Sequence, residues 1–157
     1  MPTIKKCPEC GSGVKRVTGT MSRKLAGHTF TADLPADRCA NAHAFYRHRD
    51  LSAFDRAVAV VLVEAGVLAG DVLRFLRGVL GLEGQELAEL LGVRRETLSR
   101  WERGRRPIDL AVYTVLRQLI LDRARGVSST ETFLRSRAKP RSKKLPSTVR
   151  LEQIVGE

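Results

Sequence analysis

Gln85-Glu86-Leu87-Ala88-Glu89-Leu90-Leu91-Gly92-Val93-Arg94-Arg95-Glu96-Thr97-Leu98-Ser99-Arg100-Trp101-Glu102-Arg103-Gly104 is the stretch on which the fold turns. Leu87, Ala88 and Leu91 recur at helical spacing on one face, and the small Ala88 allows a second helix to cross closely. Gly92 permits a sharp reversal and Val93 plugs it, so a second helix begins at about Arg94. At 100° per residue, Leu98 and Trp101 turn inward with the aliphatic stem of Arg94. Glu96, Ser99, Arg100 and Arg103 take the opposite side. Such a pair of helices is a helix-turn-helix, whose second helix can enter a major groove.

The same period extends in both directions. Leu51, Phe54, Ala57, Val58, Val61, Leu62 and Ala65 predict a helix with Ser52 as its cap, stopped at Gly66. Asp71 is expected to cap a second, carrying Val72, Leu73, Phe75, Leu76, Val79 and Leu80 up to Gly81. Further helices are expected over 84–91, 94–103 and 108–121, which makes residues 51–125 a compact all-α unit. The last of these, with Leu110, Val112, Val115, Leu116 and Leu119, reads either as core or as a dimer surface.

Upstream the period is two. Val14–Thr18 and His28–Leu34 alternate as half-buried strands do, with Gly27 as a turn and Pro35 as a stop. Cys7-Pro8-Glu9-Cys10-Gly11 opens this part, and Cys39 follows the strands. A CxxC turn aims two thiolates at one ion, and a structural zinc wants four ligands. Cys39 is the third, and His43 is chosen as the fourth, with His28 and His48 in reserve. Position 42, where a second CxxC would place a cysteine, is Ala. A unit of 50 residues with few large apolar side chains has little core, so a metal that contributes to folding suits it. A degenerate site and a redox CxxC are the competing readings; Glu9 is a weak candidate for a general base if the zinc were catalytic.

Beyond Gly126, Ser128-x-x-Glu131 is a capping box for a short helix through Arg137. Lys/Arg at 135, 137, 139, 141, 143 and 144 then form a basic run without an acid. With Pro140, Pro146 and several serines, it reads as a flexible tail. The expected organisation is α+β: residues 1–50 a zinc-bound β-rich unit, 51–125 the helix-turn-helix unit, and 126–157 the tail.

Charge agrees with a polyanionic partner. The 157 residues carry 28 Lys+Arg and 17 Asp+Glu, a net +11. Residues 1–50 hold nine basic and four acidic side chains, 51–125 twelve and ten, and 126–157 seven and three. The helical unit is nearly balanced, so charge there predicts little, and the excess at both ends predicts non-specific affinity for nucleic acid. No apolar run reaches the ~20 residues of a membrane span. The opening MPTIKKCPEC lacks a signal-peptide stretch, so a cytoplasmic protein is expected. There is no paired carboxylate or His-rich cluster at catalytic spacing, which argues against an enzyme.

These residues carry a resemblance. Residues 71–121, ending in Ser99-Arg100-Trp101-Glu102-Arg103-Gly104, resemble the helix-turn-helix of Xre/Cro/C1-type repressors. Together with the CPxCG knuckle, residues 5–121 are similar to MqsA-type antitoxins with their YgiT-type zinc finger. That resemblance implies an N-terminal zinc domain that holds a toxin, and a C-terminal domain that dimerises on a palindromic operator and represses its own operon. It also implies base reading from the second helix, at the positions Glu96 and Arg100. Here Glu stands where the family has asparagine, so a different operator base is expected. Position 84 is Gly, and the glutamine often found there comes at Gln85.

The candidate DNA-binding residues are Gln85, Arg94, Arg95, Glu96, Thr97, Ser99 and Arg100. Arg100 can pair with guanine and Glu96 can accept from cytosine. Arg95 and Thr97 can reach a base or a phosphate, and Arg105 and Arg106 suit phosphates. The candidate metal ligands are Cys7, Cys10, Cys39 and His43. The expected partners are double-stranded DNA, a second copy of the chain and a toxin. A free-standing Xre-type regulator without a toxin is the alternative.

Overall fold

Alternation of apolar and polar residues builds a long hairpin in the first third of the chain. The computed structural model describes residues 5–137. Strands β1 (Val14–Leu25) and β2 (His28–Cys39) pair antiparallel over their full length, and β3 (Ala44–Tyr46) adds to β2, in the order β1-β2-β3. Ala26 and Gly27, both at positive φ (47° and 79°), make the two-residue reversal; two left-handed residues in succession match the twist of the strands.

The strands are longer than their sequence pattern suggested. Pro35 does not stop β2 but pairs with Thr18 inside it. On the other side of β2, β3 ends opposite Ala36. Pro35 therefore lies where that side has no strand to receive an N–H, a position that tolerates proline. Nearby, a Cβ on Gly19 would lie 2.7 Å from the Tyr46 hydroxyl, so the missing side chain leaves room for the Tyr46 ring to reach across β2 to β1.

Among the described residues six helices follow: α1 (His48–Glu64), α2 (Gly70–Leu80), α3 (Gly84–Leu91), α4 (Arg95–Glu102), α5 (Leu110–Ala124) and α6 (Ser129–Arg137). The chain is thus α+β. Two expected caps are corrected. α1 begins before Ser52, at His48, because Asp50 and Leu51 both donate their N–H to the Arg47 carbonyl. The Ser52 hydroxyl instead meets His48 Nε2 at 3.3 Å. α2 is capped at Ala69 rather than Asp71. Asp71 lies inside the first turn, where one carboxylate oxygen accepts from Val72 N at 2.9 Å and the other from Ala26 N at 2.8 Å.

That second bond ties the hairpin tip to the helices. Around it, Arg23 donates through Nε to Asp55 of α1 at 3.1 Å, and its guanidinium lies 5.5 Å from the centre of the Phe75 ring. Leu25 is buried in the same core as the helices, and Met21, Phe30, Ala32 and Leu34 pack against it. One face of the hairpin is therefore spent on the helical body. The other face, with Thr18, Thr20, Ser22, Thr29 and Thr31, is exposed.

Leu62, Leu73, Leu76, Leu87, Leu98 and Leu116 are the centre of the core, each no more than 1% exposed. Each contributes about 1.5–3 kcal/mol by leaving water. The helical run continues past α5. Ser129 and Thr130 donate to the carboxylate of Asp122, which caps α6, and Leu134 of α6 is buried. The basic residues Lys139, Arg141, Lys143 and Lys144 of the expected tail lie outside the described residues.

Candidate metal centre and nucleic-acid interface

Register brings the cysteines together. Val14 pairs with Cys39, so the turn before β1 and the turn after β2 meet at one end of the sheet. The first turn closes with Gly11 N donating to Cys7 O at 2.8 Å and Cys7 N to Ser12 O at 2.7 Å, with Gly11 at φ 72°. The second closes with Ala42 N donating to Cys39 O at 3.0 Å, and Ala42 takes φ 64°. Cys7 and Cys39 are buried and Cys10 is exposed.

The ligand atoms of Cys7, Cys10, Cys39 and His43 all lie within 4.8 Å of one another. Cys7 Sγ is 3.5 Å from His43 Nδ1, and Cys10 Sγ is 3.7 Å from Cys39 Sγ. A tetrahedral ion with sulfur at about 2.3 Å and nitrogen at about 2.0 Å has S···N edges near ~3.5 Å and S···S edges near ~3.8 Å. Both of these edges fit, so the four side chains could hold one metal ion. His28 and His48 are not in the cluster. The thiols differ in their environment. Hydrogen bonds from the Ser12 hydroxyl and backbone, and from Cys7, lower the Cys10 pKa to about 5, while burial pushes the Cys7 thiol up. A thiolate at Cys10 suits a soft cation.

In the helical part, α3 and α4 are joined by Gly92-Val93-Arg94. Gly92 at φ 70° ends α3, and Val93 N donates to Ala88 O at 2.9 Å. Leu98 and Trp101 of α4 are buried, as their spacing predicts. Glu96, Arg100 and Arg103 are exposed, and Thr97 and Ser99 are half-buried. Arg94 is exposed and lines a cleft with Val93, Thr97, Trp101 and Ile108, so its stem follows the expected direction. Among the described residues, Arg94, Arg95, Arg100, Arg103, Arg105 and Arg106 form no ion pair. Unneutralised guanidinium groups around one exposed helix face are suited to phosphates and base edges. Gln85, on α3, donates its amide to Glu89 Oε1 at 2.7 Å.

Three features that hold α4 in place have no local sequence signal. Arg77 of α2 donates through Nε to Glu102 Oε1 at 2.7 Å and through Nη1 to Leu82 O at 3.1 Å. Gly70 at the start of α2 meets the end of α4 so closely that a Cβ would lie 2.5 Å from Trp101 O. Arg95, the first residue of α4, covers Gly84, the first of α3. A glycine that opens a helix, or an arginine 25 residues from its glutamate, could be singled out only with the helix pairing known.

No helix among the described residues is long and apolar enough to cross a membrane. No curated protein matches the chain. Residues 73–114, from α2 into α5, match the helix-turn-helix family, of the Xre/Cro/C1 type, and this match together with the free arginines of α4 makes the segment a DNA-binding domain of a transcription regulator.

Proposed function

We propose that the protein is a sequence-specific, dimeric transcription repressor, the antitoxin of a type II toxin-antitoxin pair, which represses its own operon. Residues 51–125 bind the operator, the basic run from Arg135 to the end adds phosphate contacts, and 1–50 form a unit built around structural zinc. The observation that carries this reading is the exposed face of α4, with Arg94, Arg95, Glu96, Thr97, Ser99 and Arg100 available and its guanidinium groups free of carboxylates. Gln85 stands beside it on α3. Arg100 and Glu96 read bases, and Arg105 and Arg106 hold phosphates. The S₃N donor set, with one S···N and one S···S edge of tetrahedral length, supports zinc. Leu110, 67% exposed at the start of α5, supports a contact between copies, while Leu116 and Leu119 of the same helix belong to the core.

One observation favours a regulator without a toxin. The apolar face of the hairpin is already used against α1 and α2, which leaves a threonine-rich face for any protein partner. A two-part experiment separates the readings. Footprinting on the chain's own promoter region should protect two half-sites about one helical turn apart. Affinity purification of the chain should retain the product of the adjacent reading frame. Protection without retention leaves the free-standing regulator; no protection at the promoter removes autoregulation.

A further inference from the structure

Gly84 is buried although it opens an exposed helix start, because the Arg95 side chain lies across it. A Cβ built on Gly84 would fall 2.7 Å from Cζ, Nε and Nη2 of Arg95 alike. Three guanidinium atoms at one distance mean that the planar group lies flat over the Gly84 backbone. Any side chain at position 84 would expel it.

The acids around this point do not hold Arg95. Glu86 Oε2 accepts from Glu83 N at 2.7 Å, and the Glu83 side chain completes the capping box at the start of α3. Glu89 accepts from Gln85. Arg95 is exposed, carries no ion pair among the described residues, and stands at the N-terminal end of α4. In helix-turn-helix docking, that end of the second helix meets base edges.

We infer that Gly84 is a positioning residue for DNA recognition: its missing side chain makes a seat in which Arg95 is fixed before DNA arrives, so that the guanidinium pairs with both acceptors of one guanine. The flat stacking confines the long side chain in the free protein, so less rotamer freedom is lost on binding. A fork held in one plane matches the O6 and N7 acceptors of guanine, which a mobile or displaced one does not. This rests on the reading of α4 as the recognition helix, and it adds that a residue with no DNA contact sets the strength of one base preference.

The test uses the full chain and the duplex it enriches from a randomised library. Arg95→Ala should weaken binding about ten- to a hundredfold and erase the preference at a single G·C pair. Gly84→Ala should weaken binding at least about fivefold and flatten the same preference, while its melting temperature stays level or rises, since alanine is the better helix former. In the Arg95→Ala background, Gly84→Ala should cost nothing more. Gly84→Ala binding like the unaltered protein, or keeping its full penalty without Arg95, overturns the inference. Should Gly84→Ala fail to fold, Arg95→Ala decides: a guanine preference that persists without the guanidinium also overturns the inference. Enrichment of no consensus by the unaltered protein would instead remove the recognition reading itself.

Discussion

Glu102 is 6% exposed at its side chain and shares a 2.7 Å bond with Arg77, which is itself held by the Leu82 carbonyl. Removing one member of a buried pair leaves the other charged and unmatched. Arg77 is partly exposed and keeps the Leu82 carbonyl, so Glu102→Ala should cost about 1.5–3 kcal/mol in urea unfolding, and much of that cost should vanish when Arg77 is replaced by Met in the same chain. An additive result would mean that the two side chains do not act as a pair. Single residues of this kind mark where sequence reading stops. Leu98 and Trp101 were legible as inward-facing because their neighbours four and three positions away set the period. Arg77, Glu102 and Gly70 owe their roles to helices that meet across the core, which no local pattern encodes. The candidate metal ligands lie between these cases. Cys7 and Cys10 announce themselves by spacing, whereas His43 depended on position 42 being Ala and on the turn after β2 curling back.

At the scale of elements, helices that carry their own stop signals were read nearly to the residue. Gly66, Gly81 and Gly92 each take positive φ at or just past a helix end. Starts were read less well, since α1 and α2 have no side-chain cap at all. The hairpin was read too short because Pro35 is harmless only when the third strand ends beside it. The start of α6 is capped from another helix, by Asp122 of α5. Hydrogen bonds from the Thr130 hydroxyl, and then from Gln118, hold the Asp122 carboxyl below its ordinary range. A carboxylate lowered in the folded state stabilises the fold above its unfolded pKa, near ~3.9, and that contribution is lost as pH falls below it. Amide exchange over 129–137 should accordingly speed up relative to α2 as pH drops below about 4, after correction for intrinsic rates. Asp122→Asn should show the fast exchange already at neutral pH; equal protection in both proteins would refute the cap.

For the whole molecule, the sheet and the helices share a core through Leu25 and share polar ties through Arg23, Asp55, Asp71 and Ala26. If the Cys7/Cys10/Cys39/His43 cluster holds zinc as proposed, its loss at one end of the hairpin should reach the helices through the other end. On that reading, a chelator should lower the melting temperature of the helices, followed by circular dichroism at 222 nm, and added zinc should restore it. Cys39→Ser should behave like the stripped protein without responding to zinc. A helical transition indifferent to chelation would show that the two ends are energetically separate. The overall charge was the least informative property in the sequence: it named a polyanion, but the residues that single out DNA lie in its most nearly neutral stretch.

Arg47 alone separates Tyr46 of β3 from His48 of α1. With no linker longer than that, and with the hairpin tip fastened at Asp71, little freedom is expected for the sheet to swivel. In solution the sheet and helices should then tumble as one particle, with a single alignment tensor fitting the residual dipolar couplings of both. On a promoter, anything held by the sheet would be presented at one fixed angle around the double helix. Shifting a neighbouring site by half a turn would carry it to the opposite side of the DNA.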